Sequence, residues 1–527
     1  MKKRYIYYIK VFTLATVVTL STACKKTLEI APQDSVSADV ALTDRNGVEA
    51  AIVTLYATLK GENFYGNRLI GLGEALADNG RSTNKSGRYV SESTNVRGTA
   101  NASPYNHYSH WSGAYVAINR INLTLETIPG IVDPTFTEAQ KNAYIGELKF
   151  LRALYYFDLV RAYAYIPGAD VPIQNRGGVP LILKSTTTIE GALTLNEPRA
   201  PITAVYDQIY TDLDDAVAKL GNITTNPSRA TKQGAQALYS RVALYRKDWT
   251  KTVSLSSDVI TSIGGRLLNP GNYVAGFTAA VNPESVFEVA FVQPGETLGV
   301  NVSLQTLFTG LTARVTGKSR DSSDNYTGRP ASLPKKPFAG FGDLVPTSTL
   351  LSALGMTVTN NGSNAVVITA RSTDVRNEMF EVGPSSRTPV YVECTKFLGR
   401  SATVNVDNVP VIRVAEMYLN RAEAYQRSGN DVLALADVNT IRVARGLPAL
   451  VAGTVTGTAL FNEILAQRRL EFAFEGQRFF DLKRNGLDIV KPVSNTTLAF
   501  DNSVLLPPIP QADVDASQGK LLQNPGY

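Results

Sequence analysis

Apolar residues recur three and four positions apart along much of this chain, the spacing of helices that bury one face. The pattern predicts helices over 44–60 (Val48, Ala51, Ile52, Leu55, Leu59) and 111–128, the latter ending before Pro129-Gly130. A stronger one runs over 137–165, with Thr137 placed to cap it and Tyr144, Leu148, Leu151, Tyr155, Leu159 and Ala162 on one stripe. Residues 170–183 carry Pro172 and Pro180 and read as extended chain. Helical spacing returns over 203–220, then in a pair over 231–245 and 250–263 joined by Lys247-Asp248-Trp249. A helix over 411–428 would point Ile412, Ala415, Leu419, Ala422 and Tyr425 inward. Arg413, Glu416, Asn420, Glu423 and Arg427 would face away, with Glu423 and Arg427 in the favourable i,i+4 order. Its partner over 431–445 stops at Gly446 and Pro448. Two helices and a short turn total about 34 residues, the size of a tetratricopeptide (TPR) hairpin. One hairpin cannot bury its own face, so several should stack.

Two stretches lack this period. Residues 63–103, rich in Gly, Asn, Ser and Arg, read as long ordered loops. From 264 to 410 only short β-like runs appear, at 285–292, 365–369 and 390–392. The densest mixture of rings and charges is Gln467–Gly486, QRRLEFAFEGQRFFDLKRNG. It is expected to be a late helix that docks on the scaffold, with its Phe rings buried and its charges paired. The fold class expected is mainly α: TPR-like stacked helical hairpins with an irregular, loop-rich, partly β region facing a ligand. The organisation expected is a signal over 1–23 and a single domain over 24–527. Its scaffold would occupy about 40–265 and 411–486, its variable region 266–410, and its extended tail 487–527.

The beginning of the chain changes the reading of its charge. Met1-Lys2-Lys3-Arg4, an apolar run to Leu20, and Ser21-Thr22-Ala23-Cys24 have the form of an export signal. The Cys after small residues resembles a bacterial lipoprotein box, which makes Cys24 the expected lipid attachment site. Cleavage would remove Lys2, Lys3, Arg4 and Lys10, four of the charges behind the net +6, leaving +2. The basic pI of 9.0 therefore does not point to nucleic acid. No later stretch is apolar enough to span a bilayer, so the body should be tethered rather than embedded. With Cys24 acylated, Cys394 has no partner for an intrachain disulfide.

Candidate chemistry is sparse. Glu471 and Glu475 would share a helical face, as paired carboxylates of a glycoside hydrolase could, but Arg468, Arg469 and Arg478 lie within a turn and favour ion pairing. His107 and His110 are the only histidines and have no acidic or Cys neighbour, so neither a metal site nor a cofactor is expected. Gly317-Lys318-Ser319 ends like a phosphate loop, but Thr312 stands where its first glycine belongs. Cys394 reads as a small buried apolar residue. Arg81, Tyr89, Tyr105, His107, Asn325 and Tyr326 lie in the unpatterned stretches. Aromatic faces stack on sugar rings while Arg and Asn bond hydroxyls, so these six are the candidate ligand-binding residues, on composition alone.

Six pieces in order carry a resemblance: 24–32 (CKKTLEIAP), 147–156 (ELKFLRALYY), 230–249, 411–425 (VIRVAEMYLNRAEAY), 468–484 (RRLEFAFEGQRFFDLKR), and the ending at 506–510 (LPPIP) and 523–527 (QNPGY). Together they resemble the SusD/RagB family of nutrient-uptake outer-membrane lipoproteins. The resemblance implies a TPR-like scaffold and a SusC-like TonB-dependent β-barrel partner, over which the lipoprotein sits as a lid. It implies capture of an oligosaccharide, or in some members a peptide, without catalysis, at the outer membrane and facing outward. Lys25-Lys26 stands where surface-exposed members often have acidic residues. The competing reading is a TPR-like adaptor lipoprotein that binds only proteins.

Overall fold

The computed structural model describes residues 42–94, 107–195, 197–223, 226–292, 295–311, 340–384, 387–399 and 404–527. The expected export signal, Cys24, Tyr105, Asn325, Tyr326 and Gly317-Lys318-Ser319 lie outside them. The main helices are α1 (Arg45–Leu59), α2 (Arg68–Ala75), α3 (Trp111–Thr127), α4 (Glu138–Tyr163), α5 (Ile202–Lys219), α6 (Lys232–Arg246), α7 (Trp249–Ile263), α8 (Val414–Arg427), α9 (Asp431–Ala444), α10 (Gly457–Glu471) and α11 (Arg478–Arg484). Among the described residues ten short strands complete the frame: β1 (Gly80–Ser82), β2 (Ser285–Val289), β3 (Leu344–Pro346), β4 (Met356–Thr359), β5 (Val367–Arg371), β6 (Phe380–Val382), β7 (Val392–Cys394), β8 (Val409–Arg413), β9 (Ile489–Lys491) and β10 (Thr496–Leu498).

Helices α3 to α10 stack as successive antiparallel pairs, α4 on α5, α6 on α7, α8 on α9, with α7 packed directly on α8. This is the mainly α, TPR-like architecture that the periodicity predicts. Local signals set the boundaries. Thr137 and Gln140 form a reciprocal capping box at α4, and Asp44, Thr231 and Asp248 accept backbone N–H bonds at the starts of α1, α6 and α7. The irregular region enters after α7 and returns at α8. Its two ends are tied together by antiparallel pairing of β2 with β8, Ser285 opposite Arg413 and Val289 opposite Val409.

Four expectations need correction. Residues 409–413 are strand, and α8 begins at Val414; Glu416, Asn420 and Glu423 face inward rather than outward. Glu423 pairs with Arg484 of α11 at 2.5 and 2.6 Å, not with Arg427. Helix α4 is buried on nearly every side from Gly146 onward, so its apolar stripe understates its contacts. Its polar residues are satisfied in pairs, such as Arg152 with Asp212 at 2.7 Å. The segment 467–486 is not one helix. Helix α10 ends at Glu471, a corner follows in which Phe474 (φ +63°) and Gly476 (φ +78°) take left-handed backbone, and α11 begins at Arg478. The rings of Phe472, Phe474, Phe479 and Phe480 are buried as expected.

The fourth correction concerns 63–103, which holds the wholly buried helix α2. Two glycines hide it from propensity. One of them, Gly73, lies so close to Gly476 that a Cβ on it would fall 2.3 Å from the Gly476 carbonyl oxygen. The corner of 472–477 thus seats against α2, and the docking segment holds the loop region as well as the helices. Cys394 is buried, as expected of a small apolar residue.

Candidate functional site

The two unpatterned stretches meet at one place. Strand β1 pairs antiparallel with β3, Arg81 opposite Val345 and Ser82 opposite Leu344, which joins residues 80–94 to 340–346. The turn after β1 is fixed by its own polar groups. Thr83 donates its backbone N–H to the Asp343 carbonyl (2.8 Å) and its hydroxyl to the Gly342 carbonyl (2.9 Å). The Ser86 hydroxyl donates to Asp343 Oδ1 (2.6 Å). Asn84, Gly87 and Tyr89 all take positive φ, so the chain winds tightly here.

Beneath this rim the docking segment supplies the anchors. Arg478 clasps Asp78 at 2.7 and 2.9 Å, and Arg469 donates to Asn79 Oδ1 at 2.8 Å. The Lys491 ammonium donates to the carbonyls of Ala75 (2.6 Å), Ala77 (2.8 Å) and Glu92 (3.3 Å), the first two capping the open end of α2. Burial pushes the Lys491 pKa down to about 7, against the pull of Asp78 and Glu92. Burial also pushes Glu74 up to about 7, although Asn79 and the Gly476 N–H each donate to it at 2.9 Å.

On the rim itself two aromatic rings sit among cations. Tyr391, which precedes β7, has the Arg81 guanidinium at 5.0 Å and the Lys85 ammonium at 5.5 Å from its ring centre. Phe341 has Arg387 at 4.8 Å and Arg88 at 5.3 Å. Two carboxylates accompany them. Asp343 pairs with Arg88 at 2.5 Å. Glu393 accepts from the Thr309 hydroxyl (2.9 Å) and the Gly310 N–H (2.7 Å), with Lys85 Nζ 3.8 Å away. Such a surface can hold a ligand by donated hydrogen bonds and charge. Among the described residues no group of three or more His, Cys, Asp or Glu could hold a metal ion.

Of the candidate residues, Arg81 stands on this rim, half-buried. Tyr89 lies under it, its hydroxyl donating to Asn67 Oδ1 at 2.5 Å. His107 is buried at the base of α3 against Tyr108 and Phe479. Lys85, Arg88, Phe341, Arg387 and Tyr391 were not singled out from the sequence. The first two share the Arg-rich stretch with Arg81; the other three are brought in only by the folding of the irregular region. Glu471 and Glu475, the paired carboxylates, are both buried. Their partners are Arg413, Arg445 and Lys396, so ion pairing holds, with cations distant in sequence rather than the nearby arginines.

The comparisons with known proteins agree with this architecture. A family profile described as "SusD family" matches residues 355–527, and one described as "Starch-binding associating with outer membrane" matches residues 35–244. SusD-like protein P38 of Formosa agariphila is 23% identical over 502 residues, 90% of this chain and 91% of its own. The starch-binding protein SusD of Bacteroides thetaiotaomicron is 33% identical over 136 residues, 24% of this chain and 23% of its own. A SusD superfamily protein from Bacteroides vulgatus superposes with a TM-score of 0.72 at 26% identity, covering 92% of this chain and 99% of its own. With profiles of this kind matching both halves and the same fold throughout, the chain belongs to the SusD/RagB family.

Proposed function

We propose that this protein is a non-enzymatic, lipid-anchored binder at the outer membrane. It captures an oligosaccharide and hands it to a SusC-like TonB-dependent barrel. The observation that carries the reading is the junction of the two unpatterned stretches at β1 and β3, held on a rigid helical body by Arg469, Arg478 and Lys491. Capture without reaction needs a fixed scaffold and one adaptable face. Match to a profile whose description names starch binding and the outer membrane supports both the ligand class and the location. Among the described residues no helix is long and apolar enough to cross a membrane, which fits attachment through Cys24. Tyr89 and His107 then act as support beneath the rim, with Arg81 in direct contact.

Titration of the mature protein with a panel of oligosaccharides tests the reading. Binding to at least one, weakened by Arg81→Ala with the melting temperature unchanged, is the expected result. Retention of a barrel partner with no glycan or peptide bound would favour the adaptor reading instead. The anchor has its own test. Cys24→Ala should abolish incorporation of a fatty-acid label in cells, and continued labelling would exclude Cys24.

A further inference from the structure

The rim gathers four cations around two aromatic rings. Arg81, Lys85, Arg88 and Arg387 surround Tyr391 and Phe341, against Asp343 and Glu393. Asp343 is committed to Arg88 and Ser86. Glu393 is held by Thr309 and Gly310, leaving Lys85 at a long 3.8 Å. The Lys85 side chain is only 6% exposed, yet its ammonium donates no hydrogen bond among the described residues. Arg81 has no carboxylate partner among them, and its Nε is buried without an acceptor. Like charges held this close repel, and a buried donor left unused costs free energy. Burial, with Arg387 nearby, lowers the Lys85 pKa despite the pull of Glu393 and Asp343. A neutral sugar would leave these costs standing. It would also find both rings already flanked by cations where it should stack.

We propose that the rim selects an acidic polysaccharide, one bearing carboxylate or sulfate groups, with Lys85 and Arg81 donating to the anionic oxygens. This rests on the glycan-binding reading and adds the class of glycan. An oxyanion would accept the unused donors of both residues in charge-assisted bonds.

The test is affinity measurement on the mature protein with amylose, polygalacturonate, λ-carrageenan and polyglutamate at two salt concentrations. The expected result is binding to polygalacturonate or λ-carrageenan about tenfold or more tighter than to amylose, weakening as salt rises. Lys85→Met and Arg81→Gln should each lose about tenfold toward the acidic polymer. Which polymer binds separates carboxylate from sulfate. Arg81→Gln is half-exposed and carries the test should Lys85→Met fail to fold. Amylose bound as tightly as the acidic polymers, with both variants indifferent, would overturn the proposal and leave glycan binding intact. Polyglutamate bound as tightly would overturn it in favour of an acidic peptide. No binding to any of the three polysaccharides would remove both this inference and the reading beneath it.

Discussion

Arg413 leaves the end of β8 and enters a space with no water-facing side. It meets Glu284 at 2.5 Å, Glu471 at 2.9 Å and Glu475 at 2.8 and 2.9 Å. Arg445 reaches Glu284 at 2.7 Å and Glu471 at 2.9 Å, Lys396 reaches Glu475 at 2.5 Å, and Arg376 clasps Asp374 at 2.7 Å. Four cations thus face four carboxylates, and each charge is compensated by geometry rather than by solvent. The two guanidinium groups hold Glu471 well below the usual carboxylate range in spite of its burial. A carboxyl held ionised in this way is a poor proton donor near neutrality, which weighs against the hydrolase reading of Glu471 and Glu475. Glu471→Gln would leave Arg413 and Arg445 short of charge and should destabilise the fold by about 3–5 kcal/mol in urea unfolding. Because the folded pKa lies below the unfolded value, this stability is full above about pH 4.5 and is lost as pH falls further. The variant should therefore show a shallower acid limb, and an unchanged midpoint would contradict the role given to the cluster.

At the scale of elements, α2 is the piece on which scaffold and rim both depend. Ala at position 73 would place its Cβ within 2.5 Å of three backbone atoms of Gly476, and backbone cannot swing aside as a side chain can. Gly73→Ala should cost at the upper end of about 1–3 kcal/mol, read as a lowered denaturation midpoint; a neutral effect would show that α2 is not clamped by the corner. Glu74, one residue on, gives a second prediction. Its folded pKa of about 7 lies above the unfolded 4.5, so its contribution is full below pH 4.5 and is lost as pH rises to 7. The loss is about 3 kcal/mol. In Glu74→Gln the fall in stability across that window should shrink by this amount, and thermal melts from pH 4.5 to 8 measure it. Helix α2 also shows where the sequence was legible and where it was not. Helices α4, α6 and α7 announce themselves by caps and period, because those signals act within a few residues. Helix α2 contains two glycines, one of which, Gly73, owes its place to a contact 403 residues away at Gly476, and no local rule reports that. The break at Phe474 is hidden likewise, since the strings on either side both read as helix. For the site, Arg81 was legible as a cation in an Arg-rich loop. Tyr391 and Phe341 were not, because only the pairing of β1 with β3 and the packing of β3 on β7 bring them to it.

For the molecule as a whole, the charge is arranged in two regimes. A second interior group, Arg241, Arg468 and Arg484 with Glu416, Asp481 and Glu423, balances three against three where α6, α8, α10 and α11 converge. Together with the cluster around Arg413 it ties the last helices to the middle ones and to the start of the irregular region. These pairs are buried, and mobile ions screen buried pairs far less than exposed ones. Exposed pairs such as Arg246 with Asp207 contribute little in any case. Folding stability should therefore be nearly indifferent to salt. Raising NaCl from about 0.05 to 0.5 M should change the unfolding free energy from urea titrations by no more than about 1 kcal/mol. Any small shift should be upward, since screening relieves the repulsion among the rim cations. A loss of several kcal/mol would mean that the interior pairs feel bulk ions, and the rigid body assigned to this fold would have to be given up. A body whose stability ignores salt can carry a charged rim whose binding does not, because the two sets of charges share no residue.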